Sequence, residues 1–207
     1  MIAIIDYGVG NLFSLKSSFA SIGIDAIVAT TKEEVEKCDK IILPGVGAFG
    51  DAIAKLRASG LAEVVTEQAQ KGKPIMGICL GMQLLFEKSY EYGEYDGLGL
   101  IDGEIRPISD VIDPELKIPH IGWNALSFTE PKSEIFKYLQ EGDFVYFVHS
   151  YYGANCQGST IATAEYSVPL TAAVAKGNIY GCQFHPEKSG DTGLKILKAF
   201  CEIEVKS

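Results

Sequence analysis

Histidine and tryptophan are scarce in this chain, whose 207 residues hold three of the first and one of the second. The five cysteines, Cys38, Cys79, Cys156, Cys182 and Cys201, are odd in number and include no CxxC pair. A disulfide framework is therefore not expected, and a closed zinc site lacks its usual ligand spacing. No uncharged run approaches the roughly 18 apolar residues of a membrane span, so no membrane partner is expected. Asp6 interrupts the first apolar run too early for a signal peptide. Basic residues are few, 18 Lys and Arg against 27 Asp and Glu, for a net charge of −9. A field of that sign repels phosphate backbones, so nucleic acid is not an expected partner either. Internal repeats and linkers rich in Pro, Gly or Ser are also missing. What is present, 47% hydrophobic and 22% charged residues, is the balance of an ordinary globular protein. The expectation is one domain over residues 1–207, in a reduced, cytoplasmic setting.

The first half alternates short apolar runs with amphipathic stretches. Residues 2–5, 26–29, 40–43 and 75–78 read as buried strands. Leu12, Leu15, Phe19 and Ile22 recur at helical spacing up to Gly23, and 51–71 continues that pattern with a break near Gly60. A further helix is predicted from Gly81, carrying Met82, Leu85 and Phe86. Continuous apolar strands separated by helices indicate a parallel sheet covered on both faces. In the second half, 144–149, 160–166, 171–175 and 178–184 are strand-like with short turns between them. A closing helix is predicted from about Thr192, with Leu194, Leu197 and Cys201 on one face. The stretch 90–120 is the least regular and is expected to form loops. The fold predicted is α/β, with a mixed sheet that is parallel at its centre and extended by antiparallel strands.

The sharpest local feature is Gly77-Ile78-Cys79-Leu80-Gly81, placed where a buried strand meets a helix. Glycines two positions either side of a residue permit a tight strand-to-helix turn, because a side chain there would collide with neighbouring backbone. The middle residue is pushed into a strained, accessible position. A thiol there lies near a helix N-terminus, which favours the thiolate, and the Leu80 N–H is a natural oxyanion donor. The plain alternative is a buried structural cysteine.

A cysteine nucleophile needs a base. His185 lies in Gln183-Phe184-His185-Pro186-Glu187 at a strand end, and Pro186 keeps it extended. In extended chain His185 and Glu187 project to the same side, so the carboxylate can orient the imidazole. Cys182 would point to the opposite face, which leaves Cys79 as the partner. His149 reads as a packed or hydrogen-bonded histidine. His120 sits in a loop-like stretch with the single tryptophan, Trp123, for which a binding surface and a core position are both open. Pro44-Gly45-Val46-Gly47 follows a strand as a phosphate cradle does, but lacks the Lys and Ser/Thr of a P-loop. A flexible strand that forms an oxyanion site fits it better. Cys38, Cys156 and Cys201 read as ordinary free cysteines.

Together these residues resemble the class I, triad-type glutamine amidotransferases. Within that family the chain is similar to the glutaminase subunits of imidazole glycerol phosphate synthases. The similarity runs through Asp6–Leu12, Leu43–Phe49, Gly77–Gln83, Pro119–Asn124, Tyr146–Tyr151 and Phe184–Ser189. It implies a three-layer α/β/α sandwich, with Cys79 as nucleophile, His185 as general acid and base, and Glu187 orienting it. The Leu80 N–H and a backbone N–H near Val46 would form the oxyanion site. Gly47, Gln83, Glu91, Ser150 and Tyr151 match positions that hold L-glutamine in the family. Neither metal nor organic cofactor is implied. Family members form heterodimers with a (β/α)8-barrel cyclase subunit, which uses the ammonia to make imidazole glycerol phosphate. Asn11, Trp123 and Lys188 are the residues expected to face that cyclase. Ile121 stands where the family usually has Met, and 103–118 departs from the family pattern.

Three other readings fit parts of the sequence. One is a paralogous glutaminase that feeds another synthase, such as one modifying a surface sugar. Another is a catalytically silent scaffolding subunit, and a third is a cysteine peptidase or hydrolase on a related α/β fold. Retention of Cys79, His185 and Glu187 argues against the scaffold, and a peptidase would act without a partner.

Overall fold

The computed structural model describes residues 1–204. Four short apolar runs form strands with every residue buried or largely so: β1 (Ile2–Ile5), β2 (Ala26–Ala29), β3 (Lys40–Leu43) and β4 (Ile75–Ile78). Between them lie α1 (Leu12–Ser21), α2 (Lys32–Glu36), α3 (Phe49–Ala58) and α4 (Leu61–Gln70). The short α2 holds its first turn with a capping box in which Thr31 and Glu34 satisfy each other's backbone N–H. The break near Gly60 is real: that glycine turns the chain with φ 74° between α3 and α4.

After β4 comes α5 (Leu80–Leu84), then β5 (Phe86–Ser89), β6 (Tyr95–Asp96), β7 (Ile101–Pro107), β8 (His120–Ala125) and β9 (Ser127–Phe128). The chain ends with β10 (Phe144–His149), β11 (Tyr151–Ala154), β12 (Thr160–Glu165), β13 (Pro169–Lys176), β14 (Ile179–Cys182) and α6 (Gly190–Cys201).

The main sheet has eight strands in the order β2-β1-β3-β4-β14-β13-β12-β9. Its first five members are mutually parallel and its last three antiparallel, which is the predicted mixed sheet. Side chains alternate along each strand, so successive residues serve two different cores. Ile2 and Ile4 pack with Leu15 and Phe19 of α1 and with Ile196 and Phe200 of α6. Ala3 and Ile5 pack on the other side with Val35 of α2, Leu56 of α3 and Val65 of α4. Helices thus cover both faces, and the three layers follow.

Two expectations are corrected. The helix predicted through Leu85 and Phe86 stops at Leu84. The carbonyls of Leu84 and Leu85 accept from the N–H groups of Leu98 and Leu100, both at 2.8 Å, instead of from the next helical turn. The irregular segment 98–100 leading into β7 captures them. Residues 90–120 are mostly irregular, as expected, but within them β7 joins a second sheet of order β11-β7-β5-β6 and buries Ile101 and Ile105. His120–Asn124, read as loop-like, belongs to β8, which pairs antiparallel with β10.

Parallel register makes the chain leave β3, β4 and β14 at one end of the sheet. Leu43 lies opposite Gly77, and Cys182 opposite Ile78. Pro44–Gly47, Cys79 and His185 therefore emerge together, at the carboxyl ends where open α/β sheets place their ligands.

Candidate active site

The connection between β4 and α5 is Cys79 alone. Its backbone has φ 55° and ψ −115°, a region that costs a non-glycine residue about 1–3 kcal/mol. The strain is held by contacts on every side. The Cys79 N–H donates to the Cys182 carbonyl at 2.7 Å. A Cβ on Gly77 would come within 2.6 Å of the Gly81 carbonyl oxygen, and one on Gly81 within 1.8 Å of the Leu43 carbonyl oxygen. Both glycines are needed for space, as the G-x-C-x-G pattern implied.

His185 follows β14 with extended backbone, φ −103° and ψ 98°. Its N–H donates to the Tyr146 carbonyl at 2.9 Å, which ties it to β10. His185 Nδ1 lies 2.8 Å from Glu187 Oε1, and both side chains are almost fully buried. The expected pairing is present, but the route differs. Pro186–Lys188 forms a 3-10 turn, and that turn brings the carboxylate round to the ring. With Nδ1 engaged, Nε2 is the ring nitrogen left for Cys79, which lines the same cavity. Burial alone would lower the imidazole pKa, but hydrogen bonds and charges from Cys79 and Glu187 outweigh it and raise the pKa to about 9.

Cys79, Leu80 and His185 share one cavity of about 330 Å3 with Val46 and Gly47, a size suited to a small ligand. Gln83, Glu91, Ser150, Tyr151 and Lys188 line the same cavity. Segments far apart in the chain therefore converge. The Pro44–Gly47 segment is anchored where the Tyr7 hydroxyl donates to the Pro44 carbonyl at 2.8 Å. Gly45 has no room for a Cβ, which would lie 2.7 Å from the Gly81 nitrogen. Gly47 has open space around it but φ 93°, so glycine is required there by conformation.

At the other end of the cavity, buried Glu91 accepts from the Phe49 N–H at 2.6 Å, at the start of α3. Burial raises the Glu91 carboxyl above its ordinary value, and the Phe49 hydrogen bond opposes that shift. Gln83 Nε2 donates to Gln183 Oε1 at 3.0 Å.

Asn11 caps α1, its side chain accepting from the Ser14 N–H at 3.4 Å. Trp123 is 53% exposed on β8, which settles its position as surface and not core. Its ring meets Tyr146 edge-on, and the Lys188 ammonium lies 6.0 Å from that tyrosine's centroid. His149 is buried and hydrogen-bonded as expected. Cys182 is fully buried, which holds its thiol protonated. The cysteines are all free. Among the described residues, no group of three or more His, Cys, Asp or Glu side chains is arranged to hold a metal ion.

One participant was missed. Gln183 is fully buried, and its Nε2 lies 3.9 Å from Cys79 Sγ. The available signal was an amide inside an otherwise apolar strand end, two residues before His185.

The family model described as "Glutamine amidotransferase class-I" matches residues 3–203. The "Imidazole glycerol phosphate synthase subunit HisH" of Oceanobacillus iheyensis is 48% identical over 204 residues, covering 98% of this chain and 99% of that one. The protein of the same name from Wolinella succinogenes is 46% identical, covering 98% of this chain and all of that one. A solved glutamine amidotransferase superposes with a TM-score of 0.74 at 18% identity, over 97% of this chain and 100% of that chain. The PurLQS structure from Thermotoga maritima gives 0.74 at 19% identity, over 97% and 96%. These two share the fold.

Proposed function

The chain belongs to the class I glutamine amidotransferase family, and from that premise we propose that it hydrolyses glutamine and supplies the ammonia to a cyclase. The partner in this reading is the (β/α)8-barrel cyclase subunit of imidazole glycerol phosphate synthase, held in a heterodimer for histidine biosynthesis. Support for that partner comes from relatives of matching length that carry the synthase's name. Residues 1–207 act as one amidotransferase domain, in the cytoplasm. Among the described residues no helix is long and apolar enough to cross a membrane.

Cys79 Sγ attacks the side-chain carbonyl carbon of glutamine, and the carbonyl electrons move onto oxygen. The Leu80 N–H and a backbone N–H near Val46 stabilise that oxyanion. Rotation of a peptide in the Pro44–Gly47 segment aims the second donor, which the glycines permit. His185 gives its proton to the departing nitrogen, the C–N bond breaks and ammonia leaves a glutamyl thioester. Water then attacks the thioester with His185 as base, releasing glutamate and the thiolate. Glu187 keeps the imidazole oriented throughout. Gly47, Gln83, Glu91, Ser150 and Tyr151 hold the substrate, with Glu91 suited to its ammonium group. The observation that carries the reading is strained Cys79 sharing a cavity with a His185 whose other nitrogen is held by Glu187.

The test is glutamate release from glutamine, by the chain alone and then with purified cyclase and its nucleotide ligand. Strong stimulation by both is expected. Cys79→Ala should lower hydrolysis by at least about 10⁴-fold, while the complex still makes product from added ammonia. Slow turnover that the cyclase never stimulates would point to a different acceptor, and hydrolysis that survives Cys79→Ala would overturn the mechanism.

A further inference from the structure

We propose that the side-chain amide of Gln183 is a further partner of the Cys79 sulfur, a donor that positions the thiolate for attack. The proposal rests on the glutaminase reading for its purpose, but its geometry stands apart from it.

The direction of the amide is set by a backbone carbonyl. The Tyr151 carbonyl can only accept, so the end of Gln83 facing it at 3.4 Å is Nε2. The same nitrogen lies 3.0 Å from Gln183, which must present Oε1 there. That leaves Gln183 Nε2 facing Cys79 Sγ at 3.9 Å. The main chain is pinned as well, the Gln183 N–H donating to the Ala172 carbonyl at 2.8 Å. Turning the amide over would set two N–H groups against each other at Gln83, with the Gln183 side chain fully buried. The donor is thus locked onto the sulfur.

The opposite side of Cys79 makes the donor useful. Sγ lies 4.0 Å from the Val148 carbonyl, which can take a proton from the thiol but repels a thiolate. On ionisation the sulfur's favourable partners become Gln183 Nε2 and His185. Tightening of the long 3.9 Å contact accompanies the charge, since hydrogen bonds to ionised acceptors are shorter and stronger. Other titratable or charged groups face this region from several elements. They are Tyr7 after β1, Glu91 and Tyr92 after β5, His149 at the end of β10, Tyr151 at the start of β11, and His185, Glu187 and Lys188 after β14. Gln183 is uncharged, so it stabilises the thiolate without competing with His185 for the proton.

The experiment is the pH dependence of Cys79 alkylation by iodoacetamide, followed by mass spectrometry of the Cys79 peptide in the full chain. In Gln183→Leu, which keeps bulk and loses the donor, the alkylation midpoint should rise by about one pH unit, a tenfold loss of thiolate below it. Gln183→Glu keeps the shape but sets a carboxylate against the sulfur, and should rise further. A second measurement needs no variant. The Gln183 side-chain amide proton, followed by NMR in the wild-type chain, should shift with the same midpoint as the alkylation. Wild-type midpoints in both folded variants, or an amide signal that ignores Cys79 ionisation, would overturn the proposal. Glutamine turnover enters neither readout. Failure of the wild-type chain to hydrolyse glutamine would therefore sink the glutaminase reading and leave this one to be judged on the sulfur.

Discussion

Three histidines at one end of the sheet carry three different duties, and their hydrogen bonds assign them. The Tyr151 carbonyl lies 2.8 Å from His149 Nδ1 and can only accept, so that nitrogen carries a proton. Neutral His149 then accepts at Nε2, and His120 Nδ1, 2.9 Å away, donates to it. Burial lowers the His149 pKa to about 4, with the nearby His120 and His185 acting in the same direction. Between pH 6.5 and about 4 the unfolded chain takes up a proton that folded His149 refuses, so stability falls as pH falls through that window. His185 behaves oppositely. Its pKa, raised to about 9, gives stability that is complete below pH 6.5 and is lost as pH climbs through 9. Melting temperature against pH, in wild type and His149→Gln, should show a flatter acid limb in the variant. The alkaline limb should be unchanged, and loss of the hydrogen bonds should cost about 1–3 kcal/mol near pH 7. An acid limb of wild-type steepness would remove His149 from the account.

The elements around the elbow are built to tolerances that side chains cannot meet. β3, β4 and α5 approach so closely that Gly81 has the Leu43 carbonyl oxygen where its Cβ would be, 1.8 Å away, and Gly181 of β14 has Met82 Cγ at 2.4 Å. The two are not equivalent, because a methionine side chain can move and a strand carbonyl within the sheet cannot. Gly81→Ala should therefore destabilise by about 3 kcal/mol, at the upper end of the overpacking range, and Gly181→Ala by about 1 kcal/mol. Urea unfolding should show the difference as a lower midpoint with an unchanged slope. Equal effects would mean that the elbow relaxes as a unit. The brevity of α5 belongs to the same economy. Its last carbonyls are committed to the segment 97–101, so the helix cannot lengthen without dismantling the second sheet.

For the whole molecule, charge and exposed apolar surface divide the labour. The chain carries −9, yet the rim of the cavity presents Lys188 beside Tyr146 and exposed Trp123. Ile121 on the same strand is 58% exposed, and Val46 at the cavity mouth 44%. Such apolar surface beside the cavity is, in the proposed reading, the face the cyclase covers. Lys188→Glu should weaken cyclase binding by about tenfold, roughly 1.4 kcal/mol, and reduce ligand-stimulated turnover. Binding measured by calorimetry at low and moderate salt is the check. Unchanged affinity and coupling would take Lys188 out of the proposed interface.

Much of this was legible in the sequence because it depends on neighbours in the chain. The apolar runs at 2–5, 40–43 and 75–78 become buried parallel strands, since a strand covered on both faces needs nothing polar. Gly77 reported a steric fact that holds within five residues, whereas the crowding at Gly81 comes from Leu43 across the fold, and the His-Pro-Glu run kept ring and carboxylate together. Tertiary contacts decided the rest. β7 was hidden because its partners, β5 and β11, lie about 15 and 50 residues away, and only pairing makes Ile101–Pro107 a strand. α5 ended early because distant N–H groups claimed its carbonyls. Gln183 looked like one polar residue in an apolar run, and its significance appears only where Tyr151, Gln83 and Cys79 meet around it. A sequence displays the groups a chain carries and the shapes its short stretches prefer. Which hydrogen-bond donor faces which sulfur depends on chain crossings that no local pattern encodes.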